Sequence, residues 1–260
     1  MHARHLTAVL LALSALPAPA LDRYEIQVYQ GDMNEPGHLG LELHANYTVR
    51  GDKEPGYPGE IPPWHTARFT LEPALGVTPW LELGAYLQLM DAPAHDLRYA
   101  GTKLRAKLLA PTPFGPGSFL GVNLELSAVP AEVEQSTWAN EIRPFVGWEG
   151  RWLLVALNPI IGYALSGKDA FRVVLEPAAK VAFNTQLGFA VGAEYYADLG
   201  FADAIPALAD QAHYLFGVLD LAEAHGRPSS PWELNLAVGG GITHGADQQL
   251  IVKTIVGRSF

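Results

Sequence analysis

Cysteine is absent from the 260 residues, so neither disulfides nor thiolate metal sites can hold this chain together. Long apolar runs are also missing. After the first twenty residues none approaches the roughly 20 that a membrane-spanning helix requires. Basic residues are few, 17 Lys and Arg against 27 Asp and Glu, for a net charge of −10. That balance argues against nucleic acid as a partner. None of the nine histidines stands in an HExxH spacing, so no metal site is expected. His44, between Glu42 and Asn46, reads as a plain polar residue, as does His213. Serine is scarce, and none sits beside a histidine on one strand face, which leaves no activated nucleophile. His244 and Asp247 share a loop without one. No catalytic residue and no cofactor is expected.

What is present begins with a secretory layout. Arg4 opens a short basic start, Leu6 to Leu16 is apolar, and Ala18-Pro19-Ala20 supplies small residues for a peptidase. Residues 1–20 therefore read as a cleaved signal peptide. Residues 21–38 follow as a periplasmic N-terminal segment, and 39–260 carry the folded body.

That body alternates. In "LGLELHANYTV", Leu39, Leu41, Leu43, Ala45, Tyr47 and Val49 share one parity, and Gly40, Glu42, His44, Asn46 and Thr48 the other. A period of two over such a length is a strand with one apolar and one polar face. Twelve such runs are expected, near 39–49, 65–75, 80–89, 99–109, 118–127, 138–148, 152–163, 171–183, 185–196, 211–221, 232–239 and 248–260. Most are longer than ordinary globular strands and close to the nine to eleven or so residues of a strand that crosses a bilayer. Connections after odd-numbered strands are long or polar, such as "MDAPAHDLR". Most after even-numbered strands are tight, the pattern of a membrane barrel with loops at one end and turns at the other.

Alternation alone leaves open which face meets water. Aromatic placement decides for a membrane. Trp64, Trp80, Trp138, Trp148, Trp152 and Trp232 all fall at or beside strand ends, and Phe260 joins them. Two girdles at the lipid interfaces predict this. The expected fold is an all-β, transmembrane, antiparallel up-and-down β-barrel of about twelve strands. Its lumen should be lined by Glu82, Lys103, Arg105, Lys107, Glu125, Arg143 and Glu176. The Lys103-Arg105-Lys107 ladder is either an anion-attracting stripe or one side of a set of lumen-filling ion pairs. From Trp152 to Tyr163 both parities are apolar, so no face can be assigned. Pro73, Pro144, Pro159 and Pro177 are awkward inside strands.

The closing phrase "LIVKTIVGRSF" runs Leu250, Val252, Val256 into Phe260 and resembles the terminal signature that the barrel-assembly machinery reads in Gram-negative outer-membrane β-barrel proteins. Residues 250–259 should then pair with the strand near 39–49. The hairpin "PWELNLAVGGGITHGADQQLIVKTIVGRSF" is similar to that of putative outer-membrane transporters, among them the MetA-like proteins of phenol-degradation pathways. The resemblance implies a cell outer-membrane location, outer-membrane lipids and the assembly machinery as partners, and porin-like passive transport of a small solute. Three other readings stand beside it. These are a structural barrel with a closed lumen, presenting loops 50–64 and 197–210, a lipid-active enzyme and a soluble secreted β-protein.

Overall fold

The computed structural model describes residues 21–93, 95–185, 187–221 and 232–260. The expected signal peptide lies outside them. No helix occurs among the described residues. The strands are β1 (Leu39–Gly51), β2 (Ala67–Thr78), β3 (Leu81–Ala92), β4 (His95–Pro111), β5 (Ser118–Ala128) and β6 (Trp138–Glu149). Then come β7 (Leu153–Asn158), β8 (Ile161–Ala164), β9 (Val174–Leu175), β10 (Ala178–Asn184), β11 (Phe189–Asp198), β12 (Ala212–Leu221), β13 (Trp232–Gly241) and β14 (Gln248–Ser259).

Fourteen segments make twelve crossings, because β7 with β8 and β9 with β10 are each one strand broken by proline. The cause is a row of prolines in register. Val146↔Leu157 and Ile142↔Ile161 bracket Pro144 opposite Pro159. Asn158↔Ala178 and Ile161↔Leu175 bracket Pro159 opposite Pro177. Each proline lacks the N–H that would bind a neighbour, so the ladder lapses along one line of the wall. Pro73 is tolerated within β2, opposite Leu41.

All pairings are antiparallel, and β5–β6 closes the sheet. The expected seam is present: β14 pairs with β1 from Gly40↔Ser259 through Asn46↔Lys253, and the Phe260 N–H donates to the Leu39 carbonyl at 2.9 Å. Closure leaves no edge strand to aggregate. One connection differs from expectation. "MDAPAHDLR" is not a long loop; β3 and β4 continue to Ala92 and His95, with Met90↔Arg98 still paired.

The faces are inverted relative to a water-soluble barrel. Leu43, Leu71, Leu87, Leu104, Leu124, Val181, Leu215 and Val238 are exposed, whereas His44, Arg68, Glu72, Glu82, Lys103, Arg105, Glu194, Asp220 and Lys253 are buried. An apolar exterior around a charged interior is stable only against lipid. Trp80, Trp148, Trp152, Trp232 and Phe260 are exposed at the end with short turns, and Trp138 at the end with long loops. Trp64 lies in the loop before β2 instead, with the Lys53 ammonium 4.9 Å above its ring. Arg258, charged on the outward parity, is placed 4.8 Å from the rings of both Trp232 and Phe260, which keeps its charge at the interface.

Candidate functional site

The interior holds more than wall side chains. Residues 21–34, expected in the periplasm, run through the lumen from the loop end to the turn end. That expectation is corrected by the segment's burial: Leu21, Tyr24, Glu25, Ile26, Val28 and Tyr29 are all 4% exposed or less. Their pattern explains it. Tyr24, Ile26 and Val28 alternate with Glu25 and Gln27, which lets an extended chain offer apolar groups one way and polar groups the other.

The segment pairs with no strand, so its backbone groups are met by wall side chains one after another. Asn46 Nδ2 donates to the Arg23 carbonyl at 3.1 Å and Thr70 Oγ1 to that of Tyr24 at 2.9 Å. Lys253 Nζ reaches the Ile26 carbonyl at 2.7 Å, and Arg143 Nη1 that of Gln27 at 3.2 Å. Asn158 clasps Tyr29 twice, accepting from its N–H at 2.6 Å and donating to its carbonyl at 3.0 Å. Lys107 Nζ donates to the Asp32 carbonyl at 2.7 Å, and Glu82 Oε2 accepts from the Asn34 N–H at 2.8 Å. Partners thus come from seven strands, which satisfies buried backbone that would otherwise be costly to leave unpaired.

This arrangement resolves the unassigned stretch 152–163. Leu154, Ala156 and Ile160 face inward and join Ile26, Val28 and Tyr29 in one apolar cluster with Phe119 and Phe145. Leu157 and Val155 face outward. Both faces are apolar because one meets lipid and the other the segment.

The basic ladder is not a free stripe. Lys103 pairs with Asp22, with Glu125 at 3.0 Å and with Glu25 at 3.8 Å. Arg105 holds Glu72 at 2.6 Å and Glu82 at 2.7 Å. Lys107 is 3.6 Å from Asp32. Gly84, opposite Arg105 in register, makes room: a Cβ there would stand 2.8 Å from the Arg105 Nε. Arg143 binds Glu141 at 2.6 Å and lies over the Tyr29 ring at 4.7 Å. Six of the seven expected lumen residues therefore sit in one network that receives Asp22, Glu25 and Asp32 from the segment. Glu176 does not join it. Half-buried, it borders a cavity that Lys103, Glu125 and Arg143 line from the network side.

That cavity, about 430 Å³, opens toward the loop end and is bordered by Glu25, Gln27, Glu134, Glu176, Tyr163 and Phe201 among others. A smaller one, about 90 Å³, lies toward the turn end and is bordered by Gln27, Asp32, Glu42, Glu72, Glu233 and others. Gln27 touches both. At the rim of the larger cavity, burial and then Asp22 push the Glu134 carboxyl up to about 7. Deeper in, Glu25 lines the inner wall of the same cavity, 3.8 Å from Lys103 and 3.7 Å from Arg143. The Glu25 Oε1 also accepts from the Tyr29 hydroxyl at 2.8 Å and the Tyr86 hydroxyl at 3.3 Å.

Sequence pattern alone does not single out Asn46, Thr70, Asn158 or Lys253 as binding anything. The signal that could point to them is the alternation in "YEIQV" together with the acids of "LDRYE" and "GDMNE", which match the ladder in charge.

An apolar exterior, exposed aromatics at strand ends and a charged lumen crossed by the chain's own N-terminal segment define the architecture of an outer-membrane β-barrel. No protein-family model matches the sequence, and no curated protein matches it. Among solved structures, the KdgM porin shares the fold with a TM-score of 0.55 and 12% identity, over 85% of this chain and 99% of that one. An outer-membrane channel from Pseudomonas putida F1 does so with a TM-score of 0.58 and 13% identity, over 90% and 100%.

Replacing Asn158 by Ala removes both bonds to Tyr29. Docking of residues 21–34 is expected to weaken by about 1–3 kcal/mol. Limited proteolysis in detergent should cleave the segment faster while the barrel stays intact.

Proposed function

We propose that this protein is a passive channel for small solutes in the outer membrane of a Gram-negative bacterium, non-catalytic, and closed in this conformation by residues 21–34. The observation that carries the reading is the pair of cavities that enter from opposite ends and both border Gln27. An extended segment without strand partners, held by side-chain hydrogen bonds and ion pairs rather than by a backbone ladder, lies between them. The shared fold with a porin and an outer-membrane channel supports the reading, as does the resemblance of the closing hairpin to putative transporters of the phenol-degradation type. The loop end then faces outside and the turn end the periplasm, with residues 1–20 removed on export.

In bilayers, deleting residues 21–34 is expected to raise single-channel conductance well above that of the intact mature protein. If the shortened barrel inserts and conducts no better, the channel reading fails. The alternative is then a structural barrel with a closed lumen, whose loops 50–64 and 197–210 meet outside partners.

The outer cavity sets an ionic preference. Around it stand Asp22, Glu25, Glu125, Glu134, Glu141, Asp169 and Glu176 against Lys103, Arg143, Lys168 and Arg172. Glu134 gains its charge as pH rises through about 7. Preference for cations over anions should therefore increase across neutral pH. Glu134→Gln should flatten that increase, as read from reversal potentials under a salt gradient.

Phe260 serves as the signal for the barrel-assembly machinery in this reading, and its exposed ring rests among outer-membrane lipids. A chain lacking it is expected to give less heat-modifiable, membrane-inserted barrel. Its solute preference, where inserted, should be unchanged. Normal insertion would remove the assembly role.

A further inference from the structure

Among the described residues, two groups in the lumen each bring three carboxylate or imidazole donor atoms within 4.8 Å of one another, Asp22-Glu25-Glu125 and Glu42-His44-Glu72. In the first, the Lys103 ammonium already answers the carboxylates. The second is of another kind. Glu42 and Glu72 are direct partners across β1 and β2, and His44 follows two residues along β1 on the same inward face. His44 Nε2 stands 3.4 Å from Glu42 Oε2 and 3.2 Å from Glu72 Oε2.

Those separations are the edges of a metal tetrahedron. Zinc bonds of about 2.0–2.1 Å to nitrogen and oxygen place adjacent ligand atoms roughly 3.3–3.4 Å apart. His44 Nε2 thus stands at tetrahedral separation from both carboxylates, and all three donor atoms lie within 4.8 Å of one another. The donors are also fixed. His44 is fully buried, Glu72 is 2% exposed, and the second Glu72 oxygen is held by the Arg105 Nε at 2.6 Å. Such outer partners orient ligating carboxylates. Glu42 Oε2 and His44 Nδ1 are buried atoms with no hydrogen-bond partner. Access is from the turn end, because Glu42 and Glu72 border the smaller cavity, and a solvent molecule from it would supply a fourth ligand.

We propose that Glu42, His44 and Glu72 form a binding site for a divalent cation of the zinc type, with one imidazole nitrogen and two carboxylate oxygens as protein ligands. One nitrogen with two hard oxygens suits such an ion better than calcium, which takes six or more oxygens. Two carboxylates cancel the charge of the ion, and any proton on His44 Nε2 leaves to solvent as the metal takes its place. The sequence carries no zinc motif because two donors are strand neighbours and the third comes from the next strand. The site is linked to the N-terminal segment through Glu72, Arg105, Glu82 and Asn34.

The test is calorimetric titration of the mature, folded protein in detergent with zinc chloride, after treatment with a chelator. One zinc per barrel is expected, with a raised melting temperature. His44→Gln should weaken binding by more than about 10-fold, the loss that follows removal of even an outer partner. Glu42→Gln, at the cavity edge where the barrel tolerates change, should weaken it likewise while heat-modifiability confirms folding. Absence of saturable one-to-one binding, or equal binding by both variants, would overturn the site.

Discussion

The row of bases on β4 holds this molecule in its present form. Lys103, Arg105 and Lys107 all point inward from one strand, away from lipid and largely from water. Charges so placed are tolerable only when answered at close range. Glu82 and Glu125 on the two neighbouring strands and Glu72 one strand further supply part of the answer, and Asp22, Glu25 and Asp32 supply the rest. Barrel and segment are therefore one electrostatic unit. Without the segment, Lys103 would keep Glu125 alone among these acids, and Lys107 would lose its acid.

The same arrangement accounts for the odd chemistry of the lumen. An extended chain crossing a barrel cannot join the sheet, so each of its peptide groups needs its own donor or acceptor. The wall provides them from Asn, Thr, Lys, Arg and Glu side chains at staggered heights. A lumen that was simply an aqueous pore would not require Asn158 at the height of Tyr29 or Lys253 at the height of Ile26. Polar side chains on the inner face thus read the backbone of the segment as well as its charges.

Much of the barrel is legible in the amino-acid sequence alone. Period-two alternation places the strands within a few residues, the terminal phrase places the seam with β1, and the aromatic positions point to the membrane. These are local signals, and twelve strands repeat them along the chain. The location of residues 21–38 is not legible in the same way, because it depends on surface that exists only after the barrel closes. It leaves one trace: "WLLVALNPIIGY" is apolar on a face that should be polar, and that face is the contact with Ile26 and Val28. Proline register is equally hidden. Pro144, Pro159 and Pro177 are harmless as single exceptions and become a line of lapsed pairing only when three strands are aligned.

The clasp at the loop end joins distant parts of the chain. Arg23 is bound to Asp247, 224 residues later in the chain, and to Glu60 in the first loop. The last loop is carried to that place by the pairing of β14 with β1. One seam therefore serves twice: it closes the wall, and it sets the acid that holds the start of the segment inside it.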